Sequence, residues 1–330
     1  MRFSPSLIAR GLAALALLAS VALAEEPLRP GPQGPAEGPY RAQEWRIPVP
    51  DADGATTRLL EAMLYRPAGE ARRPLVVVSH GSPRRFADRA GMRPDWAERA
   101  AAFFVAEGYA VLVPMRRGYG TSPGDANDRA HGSCGNPDYA DAGLRVGRQV
   151  LDIAEYMKAQ AFVDARRIVL AGQSAGGFAS LAAASWNPAG VIAVVNFAGG
   201  RGSRAANDVC GEVRLVQAMG QFGAGAHVPS LWLYSENDLF FRPDLARRMH
   251  AAYALGGVRT SLHILGVYGS DGHGFVRRAD SAAEWQPLVR TFLASLGTGA
   301  PRAAPPAVSR PAPPAREGRT QRQAPQDRAQ

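Results

Sequence analysis

Several signatures that would assign a bound group are missing from this sequence. It has no His/Cys/Asp/Glu cluster at metal-ligand spacing, no glycine-rich phosphate loop and no dinucleotide fingerprint, so neither a metal nor an organic cofactor is expected. Apart from one N-terminal stretch it has no long apolar run, which excludes a bundle of membrane-spanning helices. No internal repeat is present. A net charge of +9 suggests nucleic acid at first sight, but there is no dense basic helix and no stacked aromatic–basic pattern. Arg2 and Arg10 carry two of those charges and residues 298–330 a net four, which leaves the rest of the chain near +3. No nucleic-acid partner is expected.

What is there begins with the two ends. Residues 1–24 read as a secretory signal. Arg2 and Arg10 supply the positive start, residues 11–23 an almost unbroken apolar run, and Ala22-Leu23-Ala24 the small-x-small cleavage site. The run is short for a bilayer span, so cleavage after Ala24 is expected, with an uncleaved anchor as the alternative. A periplasmic or secreted location follows, with no membrane span after cleavage. Residues 298–330 are Pro, Ala, Arg and Gln with hardly a large apolar side chain. Such a segment cannot offset its ordering entropy and reads as a disordered, solubilising tail. Residues 25–42, rich in Pro and Gly, read as a flexible lead-in. The remaining stretch, 43–297, suits one α/β domain. The only two cysteines, Cys134 and Cys210, are expected to pair in an exported chain; the other reading is two buried thiols.

Within 43–297 strands alternate with helices. Residues 44–49 and 57–65 have β character and are expected to form a hairpin at a sheet edge. The run Leu75-Val76-Val77-Val78 suits a strand buried on both faces. The spacing then predicts a helix over 96–107 ending at Gly108, a strand over 109–115 and a long helix over 139–160. A strand over 167–171, a small-residue helix over 175–185 and a strand over 191–197 follow. A Gly-rich insertion occupies 198–228, and then come a strand over 230–234, a helix over 243–255, a strand over 260–265 and a closing helix over 282–296. This alternation implies right-handed crossovers and an α/β fold: a mostly parallel sheet with helices on both faces and only a small insertion in place of a cap domain.

The chemistry gathers at one motif. Gly172-Gln173-Ser174-Ala175-Gly176 matches G-x-S-x-G directly after a buried strand and directly before a helix, the setting of a nucleophile elbow. A serine hydroxyl attacks only when a base takes its proton. Of six histidines, His273 is the candidate base, because it lies between the last strand and the last helix, at the carboxyl edge of the sheet. The carboxylate that orients such a base is expected at Asp238, just past the strand 230–234, with Glu236 and Asp271 as rivals. Ser174, Asp238, His273 is then the chain order of the α/β-hydrolase elbow enzymes. Two N–H donors are needed for the oxyanion: Ala175 at the helix start, and Ser82 in the loop Ser79-His80-Gly81-Ser82-Pro83. His80 reads as a loop organiser rather than a second base.

The chain resembles the α/β-hydrolase superfamily over about residues 57–296, and within it the dienelactone hydrolase-like and prolyl-oligopeptidase-like branches. The resemblance is carried by Ser79-His80-Gly81, Arg116-Arg117-Gly118-Tyr119-Gly120-Thr121-Ser122, Asp164 with Arg167-Ile168, the elbow, Asp238 and His273. It differs from dienelactone hydrolases proper in having serine at the nucleophile position, and from prolyl oligopeptidases in lacking room for a propeller. Both differences imply a stand-alone esterase: a serine hydrolase cleaving small-molecule carboxylic esters through an acyl-enzyme. The alternatives are a peptidase or amidase with the same triad, and a non-catalytic binding protein on a hydrolase scaffold. Around the site, Cys134 and Cys210 are expected to clamp two rim loops, and 198–228 is the candidate lid. Arg116, Arg117, Arg201 and Arg204 either attract a substrate carboxylate or form a solvated basic rim. Tyr119, Phe240, Phe241 and Tyr268 either line the pocket or pack in the core.

Overall fold

Runs of consecutive apolar residues build the centre of the molecule. Leu75 to Val78, Val111 to Val113 and Ile168 to Ala171 are all buried, as strands covered on both faces must be. The computed structural model describes residues 28–51, 53–126 and 132–297, so the expected signal (1–24) and tail (298–330) lie outside the described residues. In chain order the strands are β1 (Gly31–Pro32), β2 (Gln43–Pro50), β3 (Thr57–Tyr65), β4 (Arg73–Ser79), β5 (Ala110–Pro114), β6 (Val163–Gln173), β7 (Val191–Phe197), β8 (Ser203–Ala205), β9 (Asp208–Val209), β10 (Ser230–Ser235) and β11 (Thr260–Leu265). The helices are α1 (Glu98–Ala106), α2 (Tyr139–Lys158), α3 (Ala175–Ala184), α4 (Glu212–Gly225), α5 (Pro243–Ala254) and α6 (Ala282–Ala294). Nine strands form one sheet in the order β1-β2-β3-β5-β4-β6-β7-β10-β11, with β8 and β9 a separate small hairpin. From β5 to β11 every pairing is parallel, and β1, β2 and β3 add antiparallel strands at one edge.

Helices cover both faces. Asn196 and Phe197 are successive residues of β7 and point to opposite sides. The Asn196 side chain reaches Gly177 of α3, whereas the Phe197 ring packs 5.5 Å from Trp285 of α6. Trp285 in turn meets Phe103 of α1 at 4.9 Å. Helices α2, α3, α4 and α5 pack against one another as the second layer. The α/β architecture is therefore the one expected. Among the described residues no helix is long and apolar enough to cross a membrane.

Two expectations need correction. Gly31–Pro32 pairs with Trp45 and Arg46, so part of the presumed flexible lead-in is an edge strand; backbone pairing needs no apolar side chains, and composition misses it. The insertion 198–228 is also not a lid throughout. Its second half is α4, whose Leu215, Ala218, Met219 and Phe222 are buried in the helical layer. Gly220, Gly223 and Gly225 hid that helix, because glycine is a poor helix former. Gly223 is there because a Cβ would strike the Tyr253 backbone of α5. Tertiary closeness decided over propensity.

Candidate active site

The parallel register brings the strand ends level. Ser79 of β4 pairs with Gly172 of β6, and Gly172 with Asn196 of β7, so the loops after these strands emerge side by side. Ser174 follows β6 immediately and has φ 56° and ψ −123°, a backbone conformation that non-glycine residues rarely adopt. The turn is as tight as the motif implies: a Cβ at Gly172 would overlap the Gly176 backbone, and one at Gly176 the Ser79 carbonyl. The Ser174 N–H donates to the Phe197 carbonyl (2.9 Å), and its own carbonyl accepts from Gly200 (3.2 Å). Residues 175–177 open α3, where the first N–H groups have no intrahelical acceptor.

Asp238 and His273 meet at the same edge, two strands further along. Both Asp238 oxygens lie against Nδ1 of His273, at 3.1 and 3.0 Å. The carboxylate is buried, and its Oδ1 also accepts the N–H groups of Phe240 (2.7 Å) and Phe241 (2.9 Å). The rival Asp271 braces the loop instead, accepting from the backbone of His273 (2.9 Å) and Leu239 (3.1 Å). Glu236 is exposed. The imidazole of His273 is buried under Phe240, whose ring stacks on it at 3.9 Å and 11°. Gln173, the first variable residue of the motif, donates from Nε2 to the His273 carbonyl (3.1 Å) and so ties the histidine loop to the elbow.

The loop after β4 is held from behind. The N–H of Arg116 donates to Nε2 of His80 (3.0 Å), so Nε2 carries no proton, and Nδ1 donates to the Gly81 carbonyl (2.6 Å). His80 is thus a neutral organiser. The Arg116 guanidinium donates to the carbonyls of His80 and Gly81 and to Oγ of Ser82, which also bonds the Tyr119 hydroxyl (2.8 Å). In a trans peptide C=O and N–H point opposite ways. Turning the Gly81 carbonyl toward His80 and Arg116 therefore turns the Ser82 N–H to the other side.

A cavity of about 440 Å³ opens above Ser174, Ala175 and Ser82. Its walls bring in Arg84, Arg201, Phe240 and Phe241, together with Cys134 and Cys210, which are bonded to each other. The Tyr139 hydroxyl donates to the Cys210 carbonyl beneath this wall, and burial pushes it up to about 12. The four arginines divide. Arg201 and Arg204 line the cavity, with Arg204 bonded to Asp208 (2.8 Å). Arg116 is buried behind the loop, and Arg117 pairs with Asp51 (3.3 Å), so neither belongs to the rim. The expectation for those two fails because each guanidinium is taken up within the chain, Arg116 by backbone carbonyls and Arg117 by the Asp51 carboxylate. Phe240 and Phe241 line the cavity, whereas Tyr119 and Tyr268 are core residues. Arg84 was missed. Its place two residues after Ser82 was the available signal. Among the described residues no cluster of three or more His, Cys, Asp or Glu is placed to hold a metal.

Known proteins agree with this architecture. A dienelactone hydrolase-like promiscuous phosphotriesterase from metagenomic libraries superposes with a TM-score of 0.53 at 19% identity, covering 77% of this chain and 98% of that one. An esterase of Pyrococcus furiosus gives 0.53 at 13% identity over 81% of this chain and 97% of its own. A puromycin-hydrolyzing peptidase of Mycobacterium tuberculosis gives 0.52 at 17% identity over 81% of this chain, which spans only 40% of that larger protein. At such identities the likeness concerns the fold. No curated protein matches the sequence. The dienelactone hydrolase family, however, matches residues 60–292, most of the chain. This α/β-hydrolase therefore belongs to the dienelactone hydrolase family.

Proposed function

We propose that the protein is a serine hydrolase of small-molecule carboxylic esters, with Ser174 as nucleophile, His273 as base and Asp238 as its orienting carboxylate. The observation that carries the reading is the contact of both Asp238 oxygens with His273 Nδ1 at the sheet edge where Ser174 sits in a strained turn. Asp238 keeps the proton on Nδ1, so Nε2 is free to accept. Ser174 Oγ bonds to the ester carbonyl carbon while its proton passes to Nε2, and the carbonyl π electrons move onto oxygen. That oxyanion is received by the N–H groups of Ala175 and Ser82. The carbon–oxygen bond to the alcohol then breaks, and the imidazolium returns its proton to the leaving oxygen. Water repeats the sequence on the acyl-enzyme and releases the acid.

The guanidinium groups at the cavity wall support a preference for esters that carry a carboxylate. An oxidising location, periplasmic or secreted, is consistent with the Cys134–Cys210 bond and with the N-terminal sequence. The test is incubation with a fluorophosphonate probe, mapping of the labelled peptide, and turnover of p-nitrophenyl esters beside Ser174→Ala. Labelling at Ser174 with turnover abolished in the variant is expected. No labelling of the folded, oxidised protein would overturn the reading in favour of a binding protein, and amide turnover matching ester turnover would move it to the peptidase class.

A further inference from the structure

Phe240 stands between two planar groups. On one side is the His273 imidazole, 3.9 Å from the ring centroid and nearly parallel to it. The Arg84 guanidinium also sits over this ring, 3.6 Å from its centroid. Two planar groups, each at van der Waals distance over one ring centre, cannot share a face without overlapping. They occupy opposite faces, and the order is Arg84, Phe240, His273.

Arg84 is also hydrogen-bonded to two segments beside that stack. Its Nη2 donates to the Leu239 carbonyl (3.1 Å), between Asp238 and Phe240. Nε and Nη2 reach Ser203 Oγ (3.1 and 2.9 Å), and Nη2 reaches the Ala205 carbonyl (3.0 Å) in the small β8–β9 hairpin. That hairpin is docked on the same place, since the Asn207 N–H donates to the Leu239 carbonyl (2.9 Å). One side chain from the loop that carries Ser82 thus grips the carboxylate loop, the hairpin wall and the ring covering the histidine. Only a planar, multiply donating cation can do all of this at once.

We propose that Arg84 and Phe240 are positioning residues for His273. The guanidinium presses Phe240 against the imidazole, and the stack holds the ring plane while Asp238 holds Nδ1. The hydrogen bond to Asp238 leaves the imidazole free to tilt about the Nδ1 contact; a parallel ring at 3.9 Å removes that freedom. The proposal rests on the reading of His273 as the base.

The experiment measures kcat and KM on an uncharged short-chain p-nitrophenyl ester, together with the rate of fluorophosphonate labelling. It is run for the full-length protein and for Arg84→Lys, Phe240→Leu and Phe240→Tyr. A neutral substrate removes any part Arg84 plays in attracting anions. Loss of near-attack alignment predicts that Phe240→Leu and Arg84→Lys each lower kcat about tenfold to a hundredfold, with labelling slowed in proportion and KM changed by less than about threefold. Phe240→Tyr keeps the stacked ring and restores most of the rate. In the Phe240→Leu background Arg84→Lys adds little, because the two act through one contact. The proposal is overturned if Phe240→Leu keeps the wild-type kcat, if the losses fall only on KM, or if Arg84→Lys behaves as wild type. Should Arg84→Lys fail to fold, the comparison of Phe240→Leu with Phe240→Tyr decides. Failure of the wild type itself to label at Ser174 removes the underlying reading and this proposal with it. Labelling of wild type and variants at equal rates removes the positioning proposal alone.

Discussion

Asp238→Asn tests the site where its geometry is most constrained. Asp238 Oδ1 accepts two backbone N–H groups, from Phe240 and Phe241, and Oδ2 lies 3.0 Å from His273 Nδ1. An asparagine keeps its carbonyl oxygen on the two N–H donors, because an amide nitrogen there would face donors only. Its NH2 then takes the place of Oδ2 and points at Nδ1. The imidazole responds by moving its proton to Nε2, where it can no longer accept one from Ser174. To react it must hold the proton on Nδ1 against an NH2 group, with only the uncharged amide oxygen, 3.1 Å away and already accepting two N–H groups, left to receive it. That forfeits a charge-assisted hydrogen bond, about 1.5–3 kcal/mol, and leaves a buried donor unmatched, about 1–3 kcal/mol more. The barrier rises by about 2.5–6 kcal/mol, a loss of about seventyfold to twenty-five-thousandfold in kcat. Both backbone hydrogen bonds survive, so the melting temperature changes by only a few degrees. The control is Asp271→Asn, whose carbonyl oxygen still serves His273 N and Leu239 N; it is expected to cost less than about tenfold. Steady-state turnover of a p-nitrophenyl ester decides. Near-wild-type turnover by Asp238→Asn, or a larger loss in Asp271→Asn, would refute the assignment of the carboxylate.

Other outcomes follow from single contacts. Ser174→Gly relieves the strain at φ 56° and is expected to be about 1 kcal/mol more stable than Ser174→Ala, with both inactive; thermal melting compares them. Cys134 and Cys210 close a loop across a separation of 76 residues, so replacing both with serine lowers stability by about 4 kcal/mol in urea titrations. Because both line the cavity, KM should shift more than kcat in the same variant. Arg201→Gln is expected to lower kcat/KM for a carboxylate-bearing ester about tenfold more than for its neutral analogue; equal losses would argue against an anionic substrate. The hydrogen bond from Arg242, with help from Arg248 and against the effect of burial, holds Glu212 below the ordinary glutamate value of 4.5. A depressed carboxyl contributes stability that is complete above that value and is lost as pH falls through the folded one. Melting temperatures of the wild type and Glu212→Gln should therefore converge on acidification below about pH 4.5.

Much of this molecule can be read along the chain. Apolar runs such as Leu75–Val78 and Ile168–Ala171 announce strands buried on both faces, since a strand covered by helices has no polar side to display. Val191–Phe197 and Thr260–Leu265 have the bounds their patterning implies. The elbow is legible for a related reason: a Cβ at Gly172 would collide with the backbone of Gly176 four residues on, a constraint within the turn itself, although Gly176 also answers to the distant Ser79 carbonyl. Elements held by distant partners were not legible. Strand β1 exists because β2 offers an unpaired edge, and α4 tolerates its glycines because α5 comes close.

Local chemistry therefore determined the fold class, the strand–helix order and the serine turn, because each depends on periodicity or on contacts within a few residues. Only tertiary structure decided that Asp238 rather than Asp271 faces His273, that Arg116 lies behind the Ser82 loop while Arg201 enters the cavity, and that Arg84 reaches Phe240. Those outcomes are set by where strand ends fall relative to one another, across separations such as the 35 residues between Asp238 and His273. A side chain's residue type states what it can bond, and the register of the sheet states what it meets.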